Sequence, residues 1–422
     1  MDNNTSEQSL RCEAIRRRLQ GERRCDICWD LSRSTRWLDK WWAEYRRHPT
    51  TDFADRSRAP HSTPGQTPLA VRQAIRSIRQ WLESGQTADT RYGLIGHRAI
   101  RHELQRLGIK PVPSLATIQR VLAGYDLTHP RGAAADTAYY PELVAWTPNA
   151  IHATDIITKH LYGGHVVQNL HTFDHYTHAV YISQHADKTS AAVRAHLLGT
   201  WGRVGLPVIQ QLDNEGSFRG GHSHRRVIGQ VVRLCLFVGV EVLFIPEYEA
   251  KRNHWVESFH SLWVQAFWSR QRFGNLTHVQ SEAPTFLRWY HTRYRPPSLA
   301  GKTPAQMRRG FKPVLLTPPL RRLIPARLPI TQGRIHFIRK VDLMGNIRML
   351  NETWLVGRQW VGQYVWVVVD TAQQMLTIWH KPDSQASWKR IKRRQFRLNE
   401  VVHPQLPEFR RNRARCREHW PS

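Results

Sequence analysis

The order of apolar runs between residues 151 and 294 constrains this chain most. Residues 151–158, 166–174 and 178–183 read as three successive strands, with Gly163-Gly164 turning between the first two. Helix and strand then alternate: a helix at 189–204, a buried strand at 208–212, a helix at 227–238, a short strand at 241–245, and helices at 254–270 and 277–294. An α/β layer packing, with helices laid against a sheet, buries such a pattern. Acidic residues stand at informative places in it. Asp155 lies in the first strand, Asp213 ends the run Val208-Ile209-Gln210-Gln211-Leu212, and Glu257 opens a helical stretch. Two strand-borne carboxylates and one helical carboxylate, if they converge, suit a pair of hard divalent cations, which prefer oxygen ligands and act on phosphates.

Charge narrows the substrate. The 422 residues carry 62 Lys+Arg against 33 Asp+Glu, a net +29. An excess of that size suits a polyanion, because each phosphate contact releases condensed counterions. No apolar run is long enough to span a bilayer and Met1-Asp2-Asn3-Asn4-Thr5 lacks a signal-peptide pattern, so a membrane partner is not expected. Cys12, Cys25, Cys28, Cys235 and Cys416 are too scattered for a disulfide framework; a cytoplasmic, DNA-associated protein is the expectation. Cys25 and Cys28 form a C-x-x-C, but no histidine precedes them and no second pair follows. They read as two half-buried helix cysteines rather than zinc ligands.

Four phrases then occur in order. They are Trp146-Thr147-Pro148-Asn149 leading to His152-Ala153-Thr154-Asp155; Asp213-Asn214-Glu215-Gly216-Ser217-Phe218; Asn253-His254-Trp255-Val256-Glu257; and Tyr290-His291-Thr292-Arg293-Tyr294-Arg295-Pro296 followed by Lys302-Thr303-Pro304. Together they resemble the DDE superfamily of retroviral-type integrases and transposases, including bacterial insertion-sequence transposases. Three departures accompany the likeness: the tryptophan stands ahead of Pro-Asn, one residue is inserted before Gly216, and His254 replaces a usual glycine. The interval from Asp213 to Glu257 is also longer than the family's, and residues 220–226 read as the inserted loop, at small entropic cost. The resemblance implies a ribonuclease H-like core in which Asp155, Asp213 and Glu257 are both the catalytic residues and the ligands of two Mg2+ (or Mn2+) ions. It further implies cleavage at element ends, 3′-OH strand transfer into target DNA, and a homo-oligomer working on paired terminal repeats. Whether a helper ATPase takes part is left open. Asp174 is set aside as a structural strand-end residue, Glu215 because Asp213 is the acid at the strand end, and Glu241, Glu247 and Glu249 because they precede the helix without its start pattern.

The expected organisation is multidomain: N-terminal all-α helix-turn-helix units, an α/β ribonuclease H-like catalytic core and a C-terminal small β-barrel. Residues 1–48 form the first helix-turn-helix unit, with Ser32 as N-cap of its third helix and Arg33, Arg36 and Lys40 facing DNA. A proline-rich linker spans 49–66. A second unit at 67–127 is stripe-packed by Val71, Ile75, Ile78 and Leu82, with Thr117 and Arg120 as its candidate DNA contacts. A connector over 129–147 leads to the core at 145–310, where Lys251 and Arg252 stand near Glu257 as candidate phosphate clamps. The barrel spans 330–382 and a basic tail 383–422. Two other classes account for part of this. A catalytically inactive tandem helix-turn-helix regulator explains the charge but not the ordered carboxylates; a metal-dependent nuclease of the same core fold explains both but lacks strand transfer.

Overall fold

The computed structural model describes residues 3–49, 53–54, 66–87, 90–127, 138–220, 224–247, 249–411 and 420–421, and divides into two compact units, Met1–Pro68 and Leu69–Ser422. Most of the linker, the first part of the connector, Gly221-His222-Ser223, Cys416 and the arginines at 413 and 415 lie outside the described residues.

Among its described residues the first unit holds three helices, α1 (Asn3–Leu19), α2 (Arg24–Asp30) and α3 (Thr35–Arg47), around a small core of Ala14, Ile27, Cys28 and Leu38. The N-cap of α3 is Ser34, whose hydroxyl accepts from the Trp37 N–H at 3.2 Å, and not Ser32 as the sequence suggests. Ser32 adopts a left-handed φ of 51° in the turn closing α2, so its side chain cannot serve the next helix. The C-x-x-C cysteines are not alike: Cys28 is buried and Cys25 exposed.

The second unit begins with α4 (Leu69–Ser84), α5 (His97–Arg106) and α6 (Leu115–Gly124). The expected stripe Val71, Ile75, Ile78, Leu82 packs on Ile100, Leu104, Ile118 and Leu122. The connection between α4 and α5 docks this trihelical part onto the rest of the unit. Tyr92 is 3% exposed among Phe267, Phe286 and Trp289, and Arg91 pairs with Glu282 at 2.7 Å.

The core strands are β1 (Ile151–His160), β2 (Val166–Asp174), β3 (Val180–His185), β4 (Ile209–Leu212) and β5 (Glu241–Phe244). Their helices are α7 (Ser190–Arg203), a single turn α8 (Gly216–Arg219), α9 (Gln230–Phe237), α10 (His254–Ala266) and α11 (Leu276–Thr292). Thus three antiparallel strands are followed by strand–helix alternation, as the apolar runs indicate. Gly163 and Gly164, both at positive φ, turn β1 into β2.

The C-terminal strands depart from expectation. After the two-residue β6 (Ile330–Thr331) come β7 (Arg334–Lys340), the hairpin β8 (Asn346–Met349) and β9 (Glu352–Leu355), then β10 (Tyr364–Asp370), β11 (Met375–His380) and β12 (Lys389–Gln395). They do not close into a separate barrel. Instead β7 pairs in parallel with β5, Val242 facing Ile335 and Phe244 facing Phe337, and one nine-stranded sheet runs β12-β11-β10-β7-β5-β4-β1-β2-β3. The cause is the edge of β5, whose four residues are all buried; its backbone must find a partner, and β7 supplies it. A buried side-chain relay reinforces the seam: Glu241 Oε2 lies 2.8 Å from His336 Nε2, and Trp366 Nε1–H donates to His336 Nδ1 at 3.1 Å. The stretch read as a basic tail likewise begins with an ordered edge strand, β12, paired to β11.

Candidate active site

Two strands place the first two carboxylates side by side. β1 and β4 pair in parallel, and their last registered pair is Thr154 with Leu212. Asp155 and Asp213 are the next residues on each chain, on neighbouring strands roughly 4.8 Å apart. Side chains alternate along a strand, so Asp155 shares the face of Ala153, and Asp213 that of Gln211. Ala153 packs into the aromatic cluster formed by α10 and α11, and Gln211 Nε2 donates to Asn253 Oδ1, just before α10, at 3.0 Å. Both aspartates therefore belong to the face that α10 covers. Thr154 faces the other way, its hydroxyl 2.5 Å from that of Thr172, which in turn meets His196 of α7. Glu257 is half-buried in the first turn of α10.

The electrostatics record this neighbourhood. Asp155, with its side chain 21% exposed, has its carboxyl pushed up to about 7. Burial is the main cause; repulsion from Asp213, then from Glu257 and Glu215, adds to it, and a 2.8 Å bond from the Ile156 N–H partly offsets it. Burial also raises the Asp213 carboxyl, against a 3.0 Å bond from the Glu215 N–H and the nearby Lys188 charge. Clustered acidic oxygens that repel one another are a donor set whose strain a divalent cation relieves, so the residues fit the expected metals in kind.

Their spacing differs from the expected closed cluster. Among the described residues, no three His, Cys, Asp or Glu side chains are close enough to enclose one ion. One reason is local: Asp155 and Asp213 each turn an oxygen onto a backbone N–H, that of Ile156 within β1 and that of Glu215 after β4.

A fourth residue belongs to this neighbourhood. His260 stands one helical turn after Glu257, its Nδ1 3.8 Å from Asp155 Oδ2, and its buried Nε2 has no hydrogen-bond partner among the described residues. Burial, with the Lys159 charge, lowers this imidazole to about 4 and keeps it neutral. The i, i+3 spacing of Glu257 and His260 is a signal the sequence carried. Asp174, by contrast, is turned into the protein, where it accepts from Thr177 and from the Asn149 N–H and lies 3.4 Å from Arg308.

The other candidates fall in varied places. Arg252 does not reach out to a phosphate: its Nε donates to Glu249 at 2.9 Å, its Nη2 to the Tyr364 hydroxyl at 3.0 Å, and its guanidinium lies 4.3 Å over Tyr140. A half-buried cation between two rings, with a carboxylate at hand, is held for packing. Lys251 shares that turn, and its side chain lies outside what the structure describes. Thr117 lies in the first turn of α6, where Ser114 accepts from its N–H at 3.1 Å, and Arg120, in mid-helix, reaches the Thr117 hydroxyl at 3.4 Å. Arg120 is exposed, as are Arg36 and Lys40 on α3. Arg33 precedes α3 and pairs with Glu7, so it does not share a helical face with those two.

The raised Asp155 carboxyl has a measurable consequence. Its folded-state value of about 7 exceeds the ordinary 3.8, so the folded protein binds this proton more tightly than the unfolded chain. Stability then falls as pH rises from about 4 to about 7, the cost being fully present above that window. Without added metal, Asp155→Asn is expected to melt above the parent protein at pH 8 and level with it near pH 4. Magnesium should raise the parent alone. A variant that melts lower at pH 8 would contradict this.

No family model matches the chain, and no curated protein matches it. Among solved structures, a chain of the simian T-cell lymphotropic virus intasome in complex with PP2A regulatory subunit B56 gamma is 12% identical, covers 72% of this chain and 96% of that one, and gives a TM-score of 0.35. The HTLV-2 integrase catalytic core domain in complex with magnesium is 16% identical over 39% of this chain and 99% of that one, with a TM-score of 0.30. The BIV integrase catalytic core domain is 14% identical over 38% and 93%, with a TM-score of 0.28. These solved structures are thus retroviral integrase assemblies and catalytic cores.

Proposed function

We propose that the chain is a DDE transposase, a polynucleotidyl transferase that cleaves DNA at the ends of a mobile element and joins the freed 3′-OH to target DNA. One observation carries this reading: Asp155, midway along β1, and Asp213, just past the end of the parallel neighbour β4, share the face that α10 covers with Glu257, and their repulsion adds to burial in raising the Asp155 carboxyl. Bound divalent cations, Mg2+ or Mn2+, would supply Lewis acidity to the attacking and leaving oxygens of a phosphodiester. Asp155, Asp213 and Glu257 would hold them, and His260, kept neutral, limits the positive charge beside Asp155.

Two displacements follow. Water attacks the phosphodiester at an element end, a P–O bond breaks, and a 3′-OH leaves with the proton. That 3′-OH then attacks a target phosphodiester, its oxygen bonding to phosphorus as the bond to the target strand's 3′ oxygen breaks, and that oxygen leaves as a 3′-OH carrying the proton. The surface suits such a substrate. The net charge is +29, and β12 presents Lys389, Arg390, Arg393 and Arg394 as exposed cations on the free edge of the same sheet. Among the described residues no helix is long and apolar enough to cross a membrane.

The test is metal-dependent joining of an oligonucleotide bearing an element end and a free 3′-OH into supercoiled plasmid. Cleavage and joining together are expected. Cleavage without joining would reduce the protein to a nuclease, and neither activity would leave a DNA-binding regulator.

A further inference from the structure

The face opposite the carboxylates holds a buried charge for which the chemistry above gives no role. Arg339, on β7, is 4% exposed, and among the described residues its guanidinium hydrogen-bonds neutral oxygens. Nε donates to the Arg348 carbonyl at 2.9 Å; Nη1 donates to the carbonyls of Ile245 at 2.8 Å, Ile338 at 2.9 Å and Phe244 at 3.4 Å. Nη2 donates to Asn214 Oδ1 at 2.8 Å. Asn214 in turn donates from Nδ2 to the same Ile245 carbonyl at 2.6 Å. Its amide is thus held at both ends, oxygen toward the arginine and nitrogen toward the end of β5, and no other orientation satisfies both.

Burying a guanidinium without a bonded carboxylate is costly, and burial lowers its pKa to about 10 despite the nearby Glu247. A fold keeps such a group where a fixed fork of donors is needed, and a lysine's three donors on one nitrogen cannot span the carbonyls and the amide at once. What the fork holds is the residue after Asp213. The Asp213 carboxylate accepts from the Glu215 N–H two residues on, so the set of this turn decides where the acid points.

We propose that Arg339 is a positioning residue for the metal site, fixing the Asp213–Glu215 turn through Asn214. The C-terminal strands are thereby part of the catalytic centre's support: β7 brings the residue that orders the turn at the end of β4. This rests on reading Asp213 as a metal ligand. Partners one step behind a ligand commonly alter metal affinity by roughly 10–100-fold.

The test uses the full chain with Asn214→Ala, Arg339→Lys and the double variant. It measures hydrogen exchange across residues 213–219, the Mn2+ concentration giving half-maximal cleavage of an element-end duplex, and thermal melting. Asn214→Ala removes the coupling while leaving the Arg339 carbonyl bonds in place, so it should still fold and melt cooperatively, somewhat below the parent because Arg339 Nη2 loses its acceptor. In it, exchange across 213–219 should quicken and the half-saturating Mn2+ rise by roughly tenfold or more, with DNA affinity unchanged. Arg339→Lys should quicken exchange and raise the half-saturating Mn2+ likewise, melting lower because a lysine cannot span the carbonyls, and the double variant should do no more to exchange or Mn2+ than the single ones. Parent-like exchange at 213–219 in Asn214→Ala, or effects that add in the double variant, would overturn the proposal. A parent protein without metal-dependent cleavage would sink the reading of Asp213 instead, and the exchange experiment would still decide the positioning.

Discussion

Asp155→Asn is expected to abolish both cleavage and joining, lowering the rate by about a thousandfold or more, which corresponds to about 4 kcal/mol of barrier. Asp155 has neighbours on both sides: Asp213 on the adjacent strand, and Glu257 and His260 from α10. An asparagine keeps the shape and loses the charge, so it cannot help hold a cation. DNA binding and its steep salt dependence should survive, because no cationic side chain is removed. Joining assays and salt-titrated binding on the same preparation separate the two effects. Parent-like joining by this variant would refute the role given to Asp155.

The second large effect concerns the fold. A fragment spanning residues 138–327 contains the whole core as the sequence motifs delimit it, yet it should fail to fold. Without β7 the edge of β5 is unpaired, and Glu241, 1% exposed, loses His336. The α7–α9 face also loses Ile335, Phe337, Val365, Val367, Val369, Leu376 and Ile378, all in its core cluster. Side chains of this kind stabilise by about 1.5–3 kcal/mol each. Losing that many outweighs a net stability of roughly 5–15 kcal/mol. Near-ultraviolet circular dichroism and size exclusion should therefore find an aggregated or molten fragment. A soluble fragment with a cooperative melt would show that the C-terminal strands are an appendage.

Those two expectations mark where the sequence was legible. The strands and helices between residues 151 and 292 lie within a few residues of where periodicity puts them, because long apolar runs fix both element type and buried face. The C-terminal runs also form strands. Alternation reveals which side of a strand is buried but not which edge it pairs with, so a barrel and an extension of the core sheet look alike in sequence. The same limit governs the site. Asp155 and Asp213 stand out by their phrases, but their adjacency comes from parallel pairing of β1 with β4, which no spacing encodes. His260 could have been found by helical spacing from Glu257. Arg339 could not, since its value lies in the carbonyls and the amide it meets, contributed by β5, by β8 and by the turn after β4. Arg252 shows the converse limit: a basic residue beside the Glu257 phrase, expected to face a phosphate, bonds Glu249 and Tyr364.

Glu257 and Glu215 both bear on Asp155, and the proposed trio gives the third place to Glu257. Calorimetric titration of Mn2+ into the full chain bound to an element-end duplex decides between them. Glu257→Gln, like Asp155→Asn and Asp213→Asn, should lose the binding isotherm of the parent, while Glu215→Gln should keep it. Retention of that isotherm by Glu257→Gln, with its loss in Glu215→Gln, would contradict the trio.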